Sequence, residues 1–273
     1  MYFERFSRPD RRAPSNEEDP LAKSPTKTAS TKYVSPRRAP ASPSFARVVW
    51  EWTKSIAVAF VLFILIRTFL VQAFKIPTGS MEDTLLIGDF LLVNKAVYGA
   101  QIPGTEIRLP GFREIQPGDI VVFVYPDPYN EYDPDPDYVK RVVGVPGDTL
   151  SMRDKRLYRN GEALDEEYVH YVDGVDDQYR PQFAWQRRFL APGVDPAAYR
   201  PSRDDWGPIV VPPESYFVMG DNRDNSADSR YWGFVPEDGI KGRPLVVYFS
   251  KESASPLPGL SEIRFDRIGD IIR

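Results

Sequence analysis

Ser80 lies in Ile76-Pro77-Thr78-Gly79-Ser80-Met81, a short polar turn just after the chain's only strongly apolar segment. A Gly-Ser pair on such a turn is a way to present a nucleophilic hydroxyl, and a serine nucleophile needs a base. The sequence has no cysteine and one histidine, His170, set among Glu166, Glu167 and Asp173. A Ser-His-Asp triad would have to recruit that one residue, so serine chemistry here calls for a different base. Lys140 offers one. In Tyr138-Val139-Lys140-Arg141-Val142-Val143 the alternation of a strand puts Lys140 with Tyr138 and Val142, and Arg141 with Val139 and Val143. Both charges therefore sit among apolar neighbours. A lysine in water, with a pKa of about 10.4, is almost wholly protonated at neutral pH, but desolvation depresses that value by several units. A neutral amine can take the proton from Ser80 as histidine does in a triad.

Each residue also has a plainer reading. Ser80 with Asp83 three residues on resembles a helix capping box. Lys140 fits an edge-strand lysine that discourages aggregation. A third segment, Met219-Gly220-Asp221-Asn222-Arg223-Asp224-Asn225-Ser226-Ala227-Asp228-Ser229-Arg230, reads as a turn-rich loop. Its match to a calcium loop fails, because Arg223 stands where an acidic or amide ligand is needed. Its many short polar side chains suit a scaffold bonded to itself. Ser226 or Asn225 can accept from the lysine amine and aim it, while Asp221, Asp228, Arg141 and Arg230 form ion pairs beneath.

The elements that must position these groups are mostly strands. Short β-branched and aromatic runs bounded by Gly, Pro and Asp fall at residues 89–94, 119–124, 139–145 and 216–219. Residues 157–162 read as a hairpin whose Asn160-Gly161 supplies the two positive φ angles of a type I′ turn. Residues 126–137 read as an acidic, proline-rich loop tip, and residues 155–212 as an insertion on the β core. Residues 1–46, rich in Pro, Ser, Thr and basic side chains, cannot bury enough surface to order and read as a disordered tail. Residues 47–74 read as one transmembrane helix, with Trp50 and Trp52 at one interface and Arg67 snorkelling near the other end. Arg37, Arg38, Arg47 and Lys54 before it place the tail in the cytoplasm and residues 75–273 on the other side. Counted from Phe74, Ser80 then lies within about 20 Å of the apolar segment.

Composition agrees with a single domain of ordinary core size in 273 residues, and a net charge of −4 gives no reason to expect a nucleic-acid partner. The expected fold class is mainly β, a β domain with an insertion tethered by one N-terminal transmembrane helix.

Taken in order, residues 77–81 with Thr84-Leu85, residues 88–95, residues 138–148 and residues 218–233 strongly resemble the bacterial type I signal peptidases, membrane-anchored serine proteases with a Ser-Lys dyad. The resemblance implies that Ser80 is the nucleophile and Lys140 the general base. It implies that Ser226 orients the lysine amine, and that the Ser80 N–H with the Thr78 hydroxyl forms the oxyanion hole. It also implies that the catalytic domain is an antiparallel β-sheet and the insertion β-rich. Threonine stands at position 78 where many members have serine; the hydroxyl is kept and its rotamer is more restricted. The implied reaction is cleavage of exported preproteins at small-x-small sites. The signal peptide would bind as an extended strand beside Ile76, Pro77 and Met81, with membrane lipid and the secretion machinery as further partners and no metal or cofactor. The implied location is the bacterial cytoplasmic (inner) membrane, with the catalytic domain on the periplasmic side. Two other readings use the same residues: a membrane-tethered processing peptidase with a dedicated substrate, and a non-catalytic module that binds envelope partners.

Overall fold

The computed structural model describes residues 44–102, 104–105, 107–126, 137–172, 177–178, 180–252 and 259–273. Nearly all of the expected tail and the tip of the acidic loop, residues 127–136, lie outside the described residues. Two compact units divide the chain, Met1–Trp50 and Glu51–Arg273. Of the first, the described part is the start of helix α1 (Phe45–Phe69).

Between Ile56 and Ile66 helix α1 is apolar on every side, the pattern of a helix whose surroundings are themselves apolar. Its 25 residues span about 37 Å at 1.5 Å each, more than the roughly 30 Å of a bilayer core. None of its side chains is buried. The helix ends five residues before the expected Phe74. Strand β1 (Val71–Lys75) follows it and pairs antiparallel with β2 (Asp89–Asn94), from Val71 opposite Asn94 to Lys75 opposite Phe90. The reason is tertiary: Phe74 packs on the core, and the partner strand takes the backbone bonds that a helix would have kept internal. Counted from Phe69, the extended reach to Ser80 becomes about 36–40 Å. The sequence alone therefore bounds that distance less tightly than expected.

The remaining strands are β3 (Ile120–Val124), β4 (Asp137–Gly144), β5 (Thr149–Arg153), β6 (Arg156–Arg159), β7 (Glu162–Ala163), β8 (Trp206–Val210), β9 (Ser215–Met219), β10 (Val235–Pro236) and β11 (Ile240–Ser250), with a one-turn helix α2 (Ser229–Trp232) before β10. They form a seven-stranded sheet in the order β1-β2-β11-β3-β4-β9-β10 and a four-stranded sheet in the order β7-β6-β5-β8. Every strand pairing is antiparallel. Between β6 and β7, Asn160 (φ 54°) and Gly161 (φ 86°) make the turn with two positive φ angles. The second sheet begins at Thr149, ahead of the insertion expected from about residue 155.

Two features of this architecture position the chemistry. Strand β4 is central, with Val121 of β3 opposite Lys140 and Met219 of β9 opposite Arg141. Because β9 ends at Met219, the loop that follows emerges beside Arg141. The excursion between β1 and β2 is closed at its base, where the Ile76 N–H donates to the Asp89 carbonyl (2.8 Å) and the Gly88 N–H to the Ile76 carbonyl (2.9 Å). Within it, Met81 and Leu85 are fully buried in a cluster with Ile76, Leu91, Val93 and Val122. Burying each such side chain contributes roughly 1.5–3 kcal/mol, and together they pin the turn that carries Ser80.

Candidate active site

The Lys140 amine donates to the Ser80 hydroxyl at 2.7 Å and to its neighbour's carbonyl, Val139 O, at 3.0 Å. The helix-capping reading of Ser80 fails here, since residues 80–84 form turns and no helix follows. Asp83, its supposed partner, has φ 74° and lies beside His170. The edge-strand reading of Lys140 fails too, because β4 is flanked on both sides and the lysine is 2% exposed.

Burial lowers the Lys140 pKa to about 8, against the opposing pull of Asp228 and Asp221; the Arg230 charge adds to the depression. Roughly one amine in ten is then neutral at pH 7, where a lysine in water would be neutral in a few molecules per ten thousand. In that neutral form the Ser80 hydroxyl donates to the amine across the same short contact.

The loop after β9 staples serine to lysine. Asp221 receives two bonds from Arg141, Nε to Oδ1 at 2.9 Å and Nη2 to Oδ2 at 2.7 Å, and its Oδ2 also accepts from the Thr84 hydroxyl at 2.6 Å. One residue on, the Asn222 N–H donates to the Ser80 carbonyl at 3.1 Å. Beneath this, Asp228 takes Arg230 Nε and Nη2 at 2.8 and 2.9 Å and the Gly220 N–H at 3.1 Å. Burial pushes the Asp228 carboxyl up, but Arg230 and the bonds it accepts outweigh that and hold it below the usual carboxylate range. Buried carboxylates persist as charges only when paired and hydrogen-bonded in this way.

A cleft of about 270 Å³ opens over the serine and lysine, walled by Phe74, Ile76, Pro77, Thr78, Met81 and Val139. Ile76 and Met81 are also core residues, so its floor is rigid. Residues 49–249 match the family model described as "Signal peptidase, peptidase S26". The chain belongs to the signal peptidase family, peptidase S26. It is 37% identical over 236 residues to a signal peptidase I of Pseudomonas aeruginosa, covering 81% of this chain and 78% of that one. A Pseudomonas fluorescens signal peptidase I is 38% identical over 234 residues, covering 80% and 78%. One from Aquifex aeolicus is 34% identical over 237 residues, covering 72% and 86%.

Membership of the signal peptidases makes the chain a serine endopeptidase that removes signal peptides, and the mainly antiparallel β architecture is the one expected. The apolar N-terminal helix fits a membrane-anchored enzyme. Of the residues singled out in the sequence, Ser80, Lys140, Arg141, Asp221, Ser226, Asp228 and Arg230 are buried together, and Thr78, Ile76, Pro77 and Met81 line the cleft. Ser226 lies against Gly220: a methyl group placed on that glycine would come within 2.3 Å of its hydroxyl oxygen and 2.4 Å of the Ser80 carbonyl. Asn225, grouped in the sequence with the lysine-orienting residues, has its amide nitrogen near Gly79, 3.8 Å from where a Cβ on that glycine would stand. It is exposed and lines a different pocket.

Several supporting residues were not found from sequence. Tyr168 lies under the Arg141 guanidinium, 3.8 Å from ring centre to carbon, and Glu166 grips Arg223 through two bonds of 2.9 and 2.8 Å. His170, set aside as a base, exchanges backbone bonds with the loop: its N–H donates to Asp221 O (2.8 Å) and its carbonyl accepts from Arg223 N (2.9 Å). These partners come from the part read as an unpatterned insertion, and no local periodicity announces a long-range ion pair.

Proposed function

We propose that Ser80 and Lys140 form the catalytic dyad of this signal peptidase. The neutral Lys140 amine takes the Ser80 proton as Oγ attacks the scissile carbonyl. The resulting ammonium returns the proton to the leaving amine, and the acyl-enzyme is hydrolysed by a water that Lys140 activates. The observation that carries this reading is the 2.7 Å contact between a buried, depressed lysine and a serine on the wall of a cleft. The Ser80 N–H and the Thr78 hydroxyl stabilise the oxyanion, a role of about 3–4 kcal/mol when one donor is lost. In the working enzyme Ser226 accepts from the lysine amine and holds its direction, a contact this structure does not form, its Oγ being buried without a hydrogen-bond partner, while Asp221, Asp228, Arg141 and Arg230 fix the frame.

The signal peptide lies extended along the cleft beside Ile76, Pro77 and Met81, whose shallow apolar surface suits small-x-small sites. Helix α1 crosses the cytoplasmic membrane with the N-terminal tail in the cytoplasm, following Arg37, Arg38, Arg47 and Lys54. The β domain, from about residue 75, then works on the extracytoplasmic side, in contact with lipid and the secretion machinery.

The test is cleavage of a preprotein with an Ala-x-Ala site by the purified chain in detergent, compared with Ser80→Ala and Lys140→Met. Cleavage after the site by the wild type, with both folded variants inactive, is the expected result. Activity surviving in Lys140→Met would sink the dyad.

A further inference from the structure

The turn after β7 belongs to the second sheet, yet three of its residues grip the catalytic frame. Glu166 takes Arg223 through two bonds of 2.9 and 2.8 Å, with side chains 8% and 1% exposed. His170 exchanges backbone bonds of 2.8 and 2.9 Å with Asp221 and Arg223. Between them Tyr168 lies against Arg141, and its hydroxyl donates to Glu166 at 2.9 Å. A bond of 3.1 Å from the Val169 N–H to the Glu166 carbonyl closes the turn that brings these groups together. The substrate cleft has other walls.

Arg141 shows what Tyr168 adds. A guanidinium is planar, and here its in-plane donors are taken. Asp221 holds Nε and Nη2, while Nη1 donates to the Gly118 carbonyl at 2.9 Å and the Arg273 carbonyl at 3.3 Å. Such bonds resist sliding within the plane and leave tilting to whatever covers the faces. The Tyr168 ring covers one face, its centre 3.8 Å from Cζ, inside the roughly 6 Å range of a cation–π contact. The ring is itself anchored, because its hydroxyl bonds the carboxylate oxygen that also takes Arg223. Burial, then the Glu166 charge, raise the phenol above its ordinary pKa against the pull of Arg141 and Arg223, so it stays a neutral donor.

A tilt of Arg141 would be felt at the nucleophile. Asp221 follows Arg141, the Thr84 hydroxyl bonds Asp221, and the Asn222 N–H bonds the Ser80 carbonyl. Met81 and Leu85 pin the turn as a whole, whereas these bonds set how Ser80 is turned toward Lys140. Release of the loop therefore turns the serine within a cleft whose walls stay put. Resting on the dyad reading above, we propose that Tyr168 is a positioning residue for the reaction. Through Arg141 and Asp221, the second sheet sets the Ser80–Lys140 geometry from outside the cleft.

The experiment measures kcat and KM of the full chain in detergent on a preprotein with an Ala-x-Ala site. Tyr168→Leu keeps an apolar side chain and removes the ring; Tyr168→Phe keeps the ring and gives up only the hydroxyl. Tyr158→Leu is the control for a general loss of packing, since Tyr158 faces Arg153 within the second sheet, ring centre to Cζ 5.6 Å. In Tyr168→Leu kcat should fall on the order of a hundredfold, as a misplacement of about 1 Å costs, with KM little changed. Tyr168→Phe should restore most of that loss, and Tyr158→Leu should leave kcat as it is. If Tyr168→Leu does not fold, Tyr168→Met, unbranched and adaptable, takes its place with the same expectation. With Ser80→Ala and Lys140→Met inactive, three outcomes would overturn the inference alone: a normal kcat without the ring, a loss confined to KM, or an equal loss in Tyr168→Phe or Tyr158→Leu. Cleavage by Lys140→Met would overturn the dyad reading and this inference with it.

Discussion

Arg141 and Asp221 meet through two parallel hydrogen bonds of 2.9 and 2.7 Å, both side chains at most 5% exposed, one residue away from the lysine whose amine touches Ser80. The pair joins the central strand β4 to the loop after β9. Through Thr84 and Asn222 the same loop reaches the turn that holds the nucleophile. The distance between serine and lysine is therefore held by groups other than the two themselves.

Asp221→Asn should be costly for that reason. It leaves Arg141 buried, with the Gly118 and Arg273 carbonyls as its remaining polar partners and the Tyr168 ring below. Breaking a buried pair from one side costs about 3–5 kcal/mol, and urea unfolding should report a loss of that size. A loss under about 1 kcal/mol would mean that the pair does not hold the loop to the strand.

The pH dependence follows from Lys140. The base must be neutral, so kcat/KM should rise about tenfold per pH unit at low pH and level off near pH 8. Removing the Asp228 charge removes the larger of the two carboxylate contributions that raise this pKa, so Asp228→Asn should move the midpoint downward in whatever activity remains. A wild-type midpoint near 10.5, or an upward shift in the variant, would contradict the assignment.

The same lysine weakens the fold. Its folded pKa is depressed, so between about pH 8 and 10.5 the unfolded chain binds more protons, and wild-type stability rises with pH in that window. Below pH 8 the penalty is fully present. Lys140→Met, similar in volume and apolar, should therefore be more stable than the wild type by about 1–3 kcal/mol at pH 7, the gap closing as pH approaches 10.5. Thermal unfolding across that range measures it, and a Met variant less stable at pH 7 would show the amine to be a net stabiliser.

Gly220 has no room for a side chain. An added methyl would stand 2.3 Å from Ser226 Oγ and 2.4 Å from the Ser80 carbonyl. Gly220→Ala should cost about 1–3 kcal/mol of stability, and kcat should drop by on the order of a hundredfold, because relief of the clash moves the nucleophile. Near-normal kcat in a folded Gly220→Ala protein would show that the Ser80 carbonyl can shift without consequence.

Local chemistry made much of this protein legible. Residues 89–94 form β2 as expected, the Asn160-Gly161 turn carries its two positive φ angles, and Lys140 is buried with its amine 5.4 Å from the ring centre of Tyr138, a neighbour that strand alternation gave it. Each depends on spacing within a few residues, where backbone geometry leaves few options. Long-range contacts decided the rest. Residues 71–74 continue an apolar run that reads as helix, yet β2 takes them into the sheet. Strand β11, the partner of both β2 and β3, escaped notice because Gly242 and Pro244 interrupt it; register shifts at these positions absorb the interruption. Which carboxylate pairs with which arginine, and that Tyr168 and His170 brace the loop beside Ser80, are decided only when the sheets pack. The sequence holds the nucleophile and the base, but a 2.7 Å contact between residues 60 apart is a property of the folded sheet.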